Sequence, residues 1–539
     1  MAVEHLEIER KFDVEESFVL PDLTAVPGVA SVGAPVEHLL EAAYYDSADL
    51  RLARARVTLR RRTGGTDAGW HVKLPPVAGA RRELHSPVGR AARTPPKAVL
   101  APVLGIVRAA PVTQVASLRT RRVVTELVDA EGRVLAEVAD DHVHGTAFPA
   151  EPGEAAVVTA WREVEVELVD GDEELLAAVA DVLVAGGAAP AHSPAKLSRV
   201  LADRLAALEG ALPADARAGA PGQAADPSRA KGGGKGKKGR KRHGKRSGGP
   251  RPTAADVVRA TLREQLRGLQ DADLMVRTGQ PDGVHQVRVA SRRLRSVLAA
   301  FRPVLDPERT EPLRAALQRV GQALSGSRDG EVALAHLREV VGTQPVQLVL
   351  GPVAARLQTT GIRDAAVGER AAQKALGDPQ YLRLLDDLDA LAGDPPFTEW
   401  ADEPADDVLR EVLARTVKRL TKAVDAAVDT DDEQALHDVR KAAKRLRYTA
   451  EAAAPVLGAP VRQLIKELKS VQEVLGDRQD TFITRQLCHD LGLQAFAAGE
   501  NAWTWGRLHA LEQARAAEAE AEFWQRWPQL RPVLRSAVR

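Results

Sequence analysis

The chain has 539 residues, 44% hydrophobic but only 4% aromatic, and its 75 basic and 74 acidic side chains leave a formal net charge of +1. That length exceeds one ordinary domain, so two or three are expected, with cores built mainly of Ala, Val and Leu. A single cysteine, Cys488, excludes an internal disulfide framework and suits a reducing compartment. The N-terminus, Met1 to Glu7, lacks an apolar signal core. The longest apolar stretch, near Leu175 to Ala189, is broken by Asp181 and paired glycines and is too short to cross a bilayer. A soluble cytoplasmic protein with no membrane partner is expected.

Residues 1–208 read as mostly strand. Period-two alternation recurs at Leu6 to Phe12, Val57 to Arg62, Trp70 to Leu74, Leu118 to Val124, Val134 to Val138 and Arg162 to Leu168. Turn signals such as Gly64-Gly65 and Asp129 to Gly132 separate the runs. So many strands in one domain suggest a barrel or a sandwich. Leu175 to Leu183 and Ala195 to Leu208 look helical.

Residues 209–252 form a linker whose core, Lys231 to Arg246, has almost no apolar side chain. Such a segment cannot bury enough surface to offset chain entropy, so disorder is expected. It is either a solubilising tether or an added polyanion contact.

Residues 253–539 are helical in pattern, with helices expected over Ala254 to Leu274, Val284 to Phe301, Pro312 to Leu324, Asp407 to Val428, Glu433 to Ala454, Val461 to Leu475 and Trp505 to Trp524. Two stretches repeat. His285, Arg288, Arg292 and Arg295 are echoed by His437, Arg440, Lys444 and Arg447, with the histidines 152 residues apart. In each copy the positions run i, i+3, i+7, i+10. This spacing stacks four basic groups on one helix face over roughly 15 Å of axis. Val287, Leu294, Leu298 and Phe301 fall on another face. A second echo, Leu324 to Asp329 against Leu475 to Asp480, lies at an offset of 151, each copy after a helix. A period near 150 is too long for a solenoid and reads as a duplicated helical bundle, about 253–400 and 401–539, with a pseudo-two-fold. A lone basic helix face is usually solvated surface, but recurrence with histidine at the same end favours anion binding. The stripes have few neighbouring aromatics for base stacking, Tyr448 excepted, so a polyanion without bases fits better than a specific nucleic acid.

In the strand-rich half, charges sort by strand. Glu7, Glu9 and Lys11 share one face, as do Arg60 with Arg62, His71 with Lys73, Arg119 with Arg121, Glu137 with Asp141, and Glu163 with Glu165 and Glu167. A one-residue slip would replace Asp141 by Asp140. A sheet with one wet face explains any single strand. If the sheet closes with these faces inward, the lumen is a tunnel in which cations grip a phosphate chain and carboxylates hold divalent ions.

At these residues the chain resembles a known family. Glu7-Ile8-Glu9-Arg10-Lys11 is similar to the ExExK signature of the CYTH, or triphosphate tunnel metalloenzyme, superfamily. Tyr44 to Ser47, Leu59 to Arg62, Lys73, Glu163 to Glu167 and Lys196 resemble its later elements in order. The helical half resembles a CHAD domain through His285, His437 and the basic positions, although Ser325 stands where glycine is usual and Glu331 where aspartate is. The resemblance implies an α+β multidomain fold: a closed antiparallel β-barrel tunnel followed by an all-α duplicated bundle. It implies a metal-dependent triphosphatase using Mg2+ or Mn2+. Arg60, Arg62, Lys73, Arg119, Arg121 and Lys196 would bind phosphate. Glu7, Glu9, Lys11, Glu165 and Glu167 would be catalytic. Glu7, Glu9, Glu137, Asp141, Glu165 and Glu167 would hold metal. The two basic stripes would bind inorganic polyphosphate, with an association to polyphosphate granules implied. The alternatives are a non-catalytic polyphosphate-binding or granule-targeting protein, and an enzyme acting on nucleoside or thiamine triphosphates.

Overall fold

The computed structural model describes residues 3–64, 68–75, 81–87, 94–150, 153–193, 195–210, 251–428, 430 and 432–539. The basic segment Lys231 to Arg246 and nearly all of the expected linker lie outside the described residues. The chain divides into two compact units, one strand-rich and one helical.

The first unit is one antiparallel sheet. Its strands are β1 (Val3–Glu7), β2 (Glu9–Val14), β3 (Ser31–Val32), β4 (Val36–Asp46), β5 (Thr58–Thr63), β6 (Gly69–Lys73), β7 (Arg81–Pro87), β8 (Thr113–Val128), β9 (Val134–Ala147), β10 (Val157–Leu168) and β11 (Ala189–Pro190). The order is β1-β7-β6-β5-β4-β8-β9-β10-β2-β11, with β3 against β8. β1 and β2 are one run of chain interrupted at Ile8. Because β1 pairs with β7 and β2 with β10, the path returns to the segment on which it began, with the two-residue β11 added beyond β2. The Leu168 amide donates to the Ile8 carbonyl at 3.0 Å, carrying the ladder to the break. The sheet thus wraps around a lumen.

The two faces of this wall have opposite characters. The outer positions of β2, β8, β9 and β10, namely Phe12, Leu127, Ala136, Val138, Val164 and Val166, are buried beneath helix α4. The short helices before it are α1 (Arg51–Arg54), α2 (Lys97–Leu100) and α3 (Leu104–Val107); α4 itself is Glu173–Ala185. The Asp172 carboxylate accepts from the Leu175 amide at 2.8 Å and caps α4. Leu175, Leu176, Val179, Ala180 and Leu183 recur at helical spacing and form its buried face. Each large side chain buried there contributes roughly 1.5–3 kcal/mol. With the apolar faces used outside, the charged faces turn inward.

One end of the lumen is filled. The expected helix 195–208 is broken at Leu201 into α5 (Lys196–Val200) and α6 (Ala202–Gly210). Leu197, Val200 and Leu201 pack with Ala116, Leu118 and Val143, which share the inner face with Arg122 and Asp141. Gly145 makes this possible, because a Cβ there would lie 2.4 Å from Val200. The sequence reading missed most of β4, and β7 entirely. The β7 stretch, Arg81 to Pro87, has only Leu84 as a large apolar residue and shows no alternation.

The helical unit runs α7 (Ala254–Arg277), α8 (Gly283–Ala300), α9 (Pro307–Ala323), α10 (Ser325–Thr343), α11 (Val353–Gly377), α12 (Pro379–Gly393), α13 (Ala405–Ala427), α14 (Glu433–Leu457), α15 (Ala459–Ala497) and α16 (Trp503–Ala537). The first copy, α7 to α10, matches α13 to α15 in order. The second echo does not follow a helix: α15 continues through Leu475 to Asp480 without a break. Helices α10, α11 and α12 fall in the stretch expected to be helical throughout, for which no separate bounds were expected. The side chains of Ser325 and Glu331 lie outside the described residues. The basic helices α8 and α14 meet at Tyr448, which is buried. Arg293 of α8 lies 5.4 Å and Arg447 of α14 4.6 Å from the centre of its ring. Cys488 is buried within α15, and burial pushes its thiol up to about 12, so it is inert at neutral pH. Among the described residues, no helix is long and apolar enough to cross a membrane.

The Gly145 contact carries a prediction. Gly145→Val should drive a side chain into Val200 and lower the stability of the strand-rich unit by about 1–3 kcal/mol or more. Urea unfolding monitored by circular dichroism measures it, with an unchanged midpoint counting against α5 as a tight plug.

Candidate functional site

Register fixes which charges face the lumen. Lys11 stands opposite Glu165, and Glu9 opposite Glu167. Asp141 stands opposite Glu163 on one side and Arg122 on the other. Arg60 stands opposite His71, which in turn stands opposite His85, and Lys73 opposite Glu83. Directly opposed residues share a face, so these rows line one surface.

Their contacts form two clusters. In the first, Lys196 Nζ lies 2.9 Å from Asp141, 2.6 Å from Glu163 and 2.7 Å from Glu165. Arg122 bridges Asp141 at 2.6 Å and Glu165 at 2.5 Å. Lys11 pairs with Glu165 and, at 2.8 Å, with Glu9. Burial alone would push the Glu165 carboxyl up, but Lys11, Lys196 and Arg122 together hold it well below the usual carboxylate range. Burial likewise opposes the charge of Lys11 and Lys196, and the carboxylates outweigh it, raising both. In the second cluster, on β5 to β7, the buried Glu83 meets His71 Nδ1 at 2.6 Å, Lys73 at 3.2 Å and Arg60 at 3.4 Å. Glu167 joins the two walls. Burial raises its carboxyl, Lys73 pulls it down, and Glu9 and Glu165 push it further up.

A divalent cation fits the first wall. One carboxylate oxygen from each of Asp141, Glu163 and Glu165 lies within 4.8 Å of the others. Glu163 Oε1 is buried, and its partner there is Lys196 Nζ at 2.6 Å. Hard oxygen donors crowded beside Glu9 and the raised Glu167 suit a divalent cation that prefers oxygen ligands.

Several expectations need correction. Arg119 and Arg121 do not face the lumen. They stand opposite Glu41 and Leu39 on the outer face, 81% and 50% exposed, and pair with Glu41 and Glu37. The residue that faces inward is their neighbour Arg122, because strand period two allows only one parity inside. Asp141 takes the inner position, while Asp140 pairs outward with Arg162 at 2.7 Å. Glu137 stands opposite Glu167 and Glu126, two steps beyond the Asp141, Glu163 and Glu165 cluster, and is not part of it. Glu163 was read only as a charged strand position, yet it is in the cluster. Arg62 shares the face of Arg60. The Glu7 side chain lies outside the described residues.

In the helical unit the two stripes line one cavity of about 690 Å³. His285, Arg288, Arg292 and Arg295 from α8 face His437, Arg440 and Lys444 from α14. Arg314, His336, Arg445 and Arg515, which the stripe spacing did not select, join them. Arg447 does not line the cavity, being held by Glu451 at 2.5 Å and Gln472 at 2.8 Å. The second echo supplies anchors for α14. His437 Nδ1 bonds Gln479, and Arg440 donates to the Leu475 carbonyl at 2.9 Å. Gly476 makes room, since a Cβ there would lie 2.8 Å from Arg440. Burial, then Arg440, Arg292 and Arg447, push Lys444 down to about 7. Burial and neighbouring arginines push Arg445 down to about 10. Burial also lowers His437. Cations crowd here with too few carboxylates to balance them.

The molecule is thus a charge-lined antiparallel tunnel followed by a duplicated helical unit with a cationic groove. The model described as CYTH domain matches residues 5–186, and that described as CHAD domain residues 260–489. Uncharacterized protein Rv2226 of Mycobacterium tuberculosis (strain ATCC 25618 / H37Rv) is 35% identical over 522 residues, 94% of this chain and 93% of that protein. The chain belongs to the family that joins a CYTH domain to a CHAD domain. Among solved structures, PptA from Streptomyces chartreusis is similar at 23% identity and a TM-score of 0.43, over 51% of this chain and 99% of that one. The CHAD domain from the plant Ricinus communis is similar at 25% identity and a TM-score of 0.40, over 53% and 92%.

Lys196→Met should leave three buried carboxylates short of one cation and destabilise the strand-rich unit by about 3–5 kcal/mol. Millimolar Mn2+ should recover part of the loss in thermal melting. Recovery equal to that given by matched NaCl would argue against an ion between those carboxylates.

Proposed function

We propose that the tunnel hydrolyses inorganic triphosphate with a divalent metal and that the helical groove binds inorganic polyphosphate. The observation that carries the tunnel reading is one lumen with two differently charged walls: carboxylates of β2, β9 and β10 opposite Arg60, Arg62 and Lys73. A triphosphate needs both walls. Its oxygens are satisfied by Arg60, Arg62, Lys73, Arg122, Lys11 and Lys196; the contacts of Arg60 and Lys73 to Glu83, and of Arg122, Lys11 and Lys196 to Glu165 or Asp141, fix those five side chains before substrate arrives. A divalent ion held by Glu9, Asp141, Glu163, Glu165 and Glu167 would neutralise phosphate charge and polarise a water. The raised Glu167 can accept a proton from that water. Phosphoryl transfer is mostly positioning and charge neutralisation, which such walls supply. The filled end limits how far a chain can thread, which supports a short substrate.

For the groove, the supporting observation is an excess of cations over carboxylates among the described residues that line it. Arg292 and Lys444 make no ion pair among the described residues, although each lies beside other cations. A chain of phosphates would relieve that repulsion along the whole groove.

Orthophosphate release from tripolyphosphate, long polyphosphate, ATP and thiamine triphosphate, each with Mg2+, Mn2+ or EDTA, tests the tunnel. We expect metal-dependent release greatest with tripolyphosphate, and a loss of about 100-fold or more in Glu165→Gln. No release at neutral to alkaline pH would sink it. For the groove, a bound polyanion raises Lys444, so binding takes up a proton and affinity falls as pH rises above about 7. Titration calorimetry of long polyphosphate at pH 6.5 and 9 should show that fall, and Lys444→Met should flatten it. A pH-independent affinity in the unaltered protein would contradict this.

A further inference from the structure

Among the described residues, nine arginines and lysines line the groove of the helical unit against one carboxylate, Asp480. That imbalance falls hardest on Lys444. It is half-buried and makes no hydrogen bond or ion pair among the described residues. Lys441 is a natural contrast. It sits three residues earlier on α14 and lines the same cavity, but it pairs with Asp438 at 3.0 Å and is exposed. Two lysines of one helix thus meet one groove in different states.

The charged groups facing Lys444 come from three helices. Arg440 and Arg447 lie one turn before and after it on α14, Arg292 acts on it from α8, and Asp480 from α15. Burial, then Arg440, Arg292 and Arg447, disfavour the ammonium, and Asp480 offsets them only in part. With the amine at about 7, about half of it is uncharged at neutral pH, against under about 0.1% for a lysine of ordinary pKa. A lysine shifted this way is a nucleophile. The same arginines select its electrophile. They draw in reagents that carry an anionic phosphate, and they stabilise negative charge on a phosphate that departs. Arg440 is anchored for this task, since it donates to the Leu475 carbonyl at 2.9 Å. An acyl phosphate combines a carbon open to an amine with such a leaving group.

We propose that Lys444 is a modification site of the helical unit, acylated directly by acyl phosphates whose phosphate is held by Arg292 and Arg440. The lone pair of Nζ adds to the carbonyl carbon and forms the new C–N bond. The bond from that carbon to the phosphate oxygen breaks, and its electron pair leaves on orthophosphate. The nitrogen gives its extra proton to water. The products are an amide and orthophosphate, and no further reactant is needed. The amide is uncharged, so acylation lowers the positive charge of the groove. The site depends neither on the tunnel chemistry nor on polyphosphate being the groove's ligand.

The test treats the unaltered full-length protein with acetyl phosphate at pH 7.0 and follows acetylation of Lys444 and Lys441 by peptide mass spectrometry. Lys444 should react at least about tenfold faster than Lys441. Phenyl acetate, an acyl donor with no phosphate, should shrink that ratio by at least about threefold, because it offers the arginines nothing to hold. Arg292→Gln should slow Lys444 toward acetyl phosphate by at least about threefold. The Lys444 rate should level off above about pH 8, where the amine is already free. Equal rates at the two lysines overturn the assignment. So does a ratio as large with phenyl acetate as with acetyl phosphate, or a Lys444 rate that climbs about tenfold per pH unit from 7 to 9 as an ordinary lysine's would.

Discussion

Lys196 touching three buried carboxylates is the contact on which the tunnel depends. Asp141, Glu163 and Glu165 come from adjacent strands and would repel one another in a low-dielectric lumen. Lys196 at the head of α5, with Arg122 and Lys11, makes that arrangement tolerable. The same lysine begins the helix whose Leu197, Val200 and Leu201 fill one end of the lumen. Charge balance and closure are therefore one structural event. The wall can turn its charges inward only because its apolar faces find α4 outside.

The helical unit solves a related problem in the opposite way. Its groove gathers cations and leaves them unbalanced, at a cost that lowers Lys444 and Arg445. The stability for this comes from elsewhere: a long apolar core through α7 to α16, and Tyr448 shared between arginines of both basic helices. The duplication explains the geometry. Two copies of one stripe, brought face to face, make a groove with cations on both sides. Neither helix could do this alone.

The two units are thus complementary in chemistry. The tunnel holds cations and carboxylates in near balance. The groove holds excess positive charge. This contrast is a property of the side chains, visible in how burial and neighbours move Glu165 down and Lys444 down for opposite reasons.

Period-two alternation was enough to place Glu9, Lys11, Arg60, Lys73, Glu165 and Glu167 on common strand faces, and the spacing of His285 and His437 with their arginines was enough to identify two matched helix faces. These patterns are local, and backbone periodicity alone dictates them. The sequence could not choose between Arg121 and Arg122, or between Asp140 and Asp141, because adjacent strand residues differ only by parity, and parity is set by pairing with distant strands. Nor could it assemble Asp141, Glu163 and Lys196, or find Glu83 on a strand with almost no apolar signal. Those residues meet because the sheet returns to its own first segment, and that return is decided by long-range hydrogen bonding and by the helix packed outside, which no local pattern encodes.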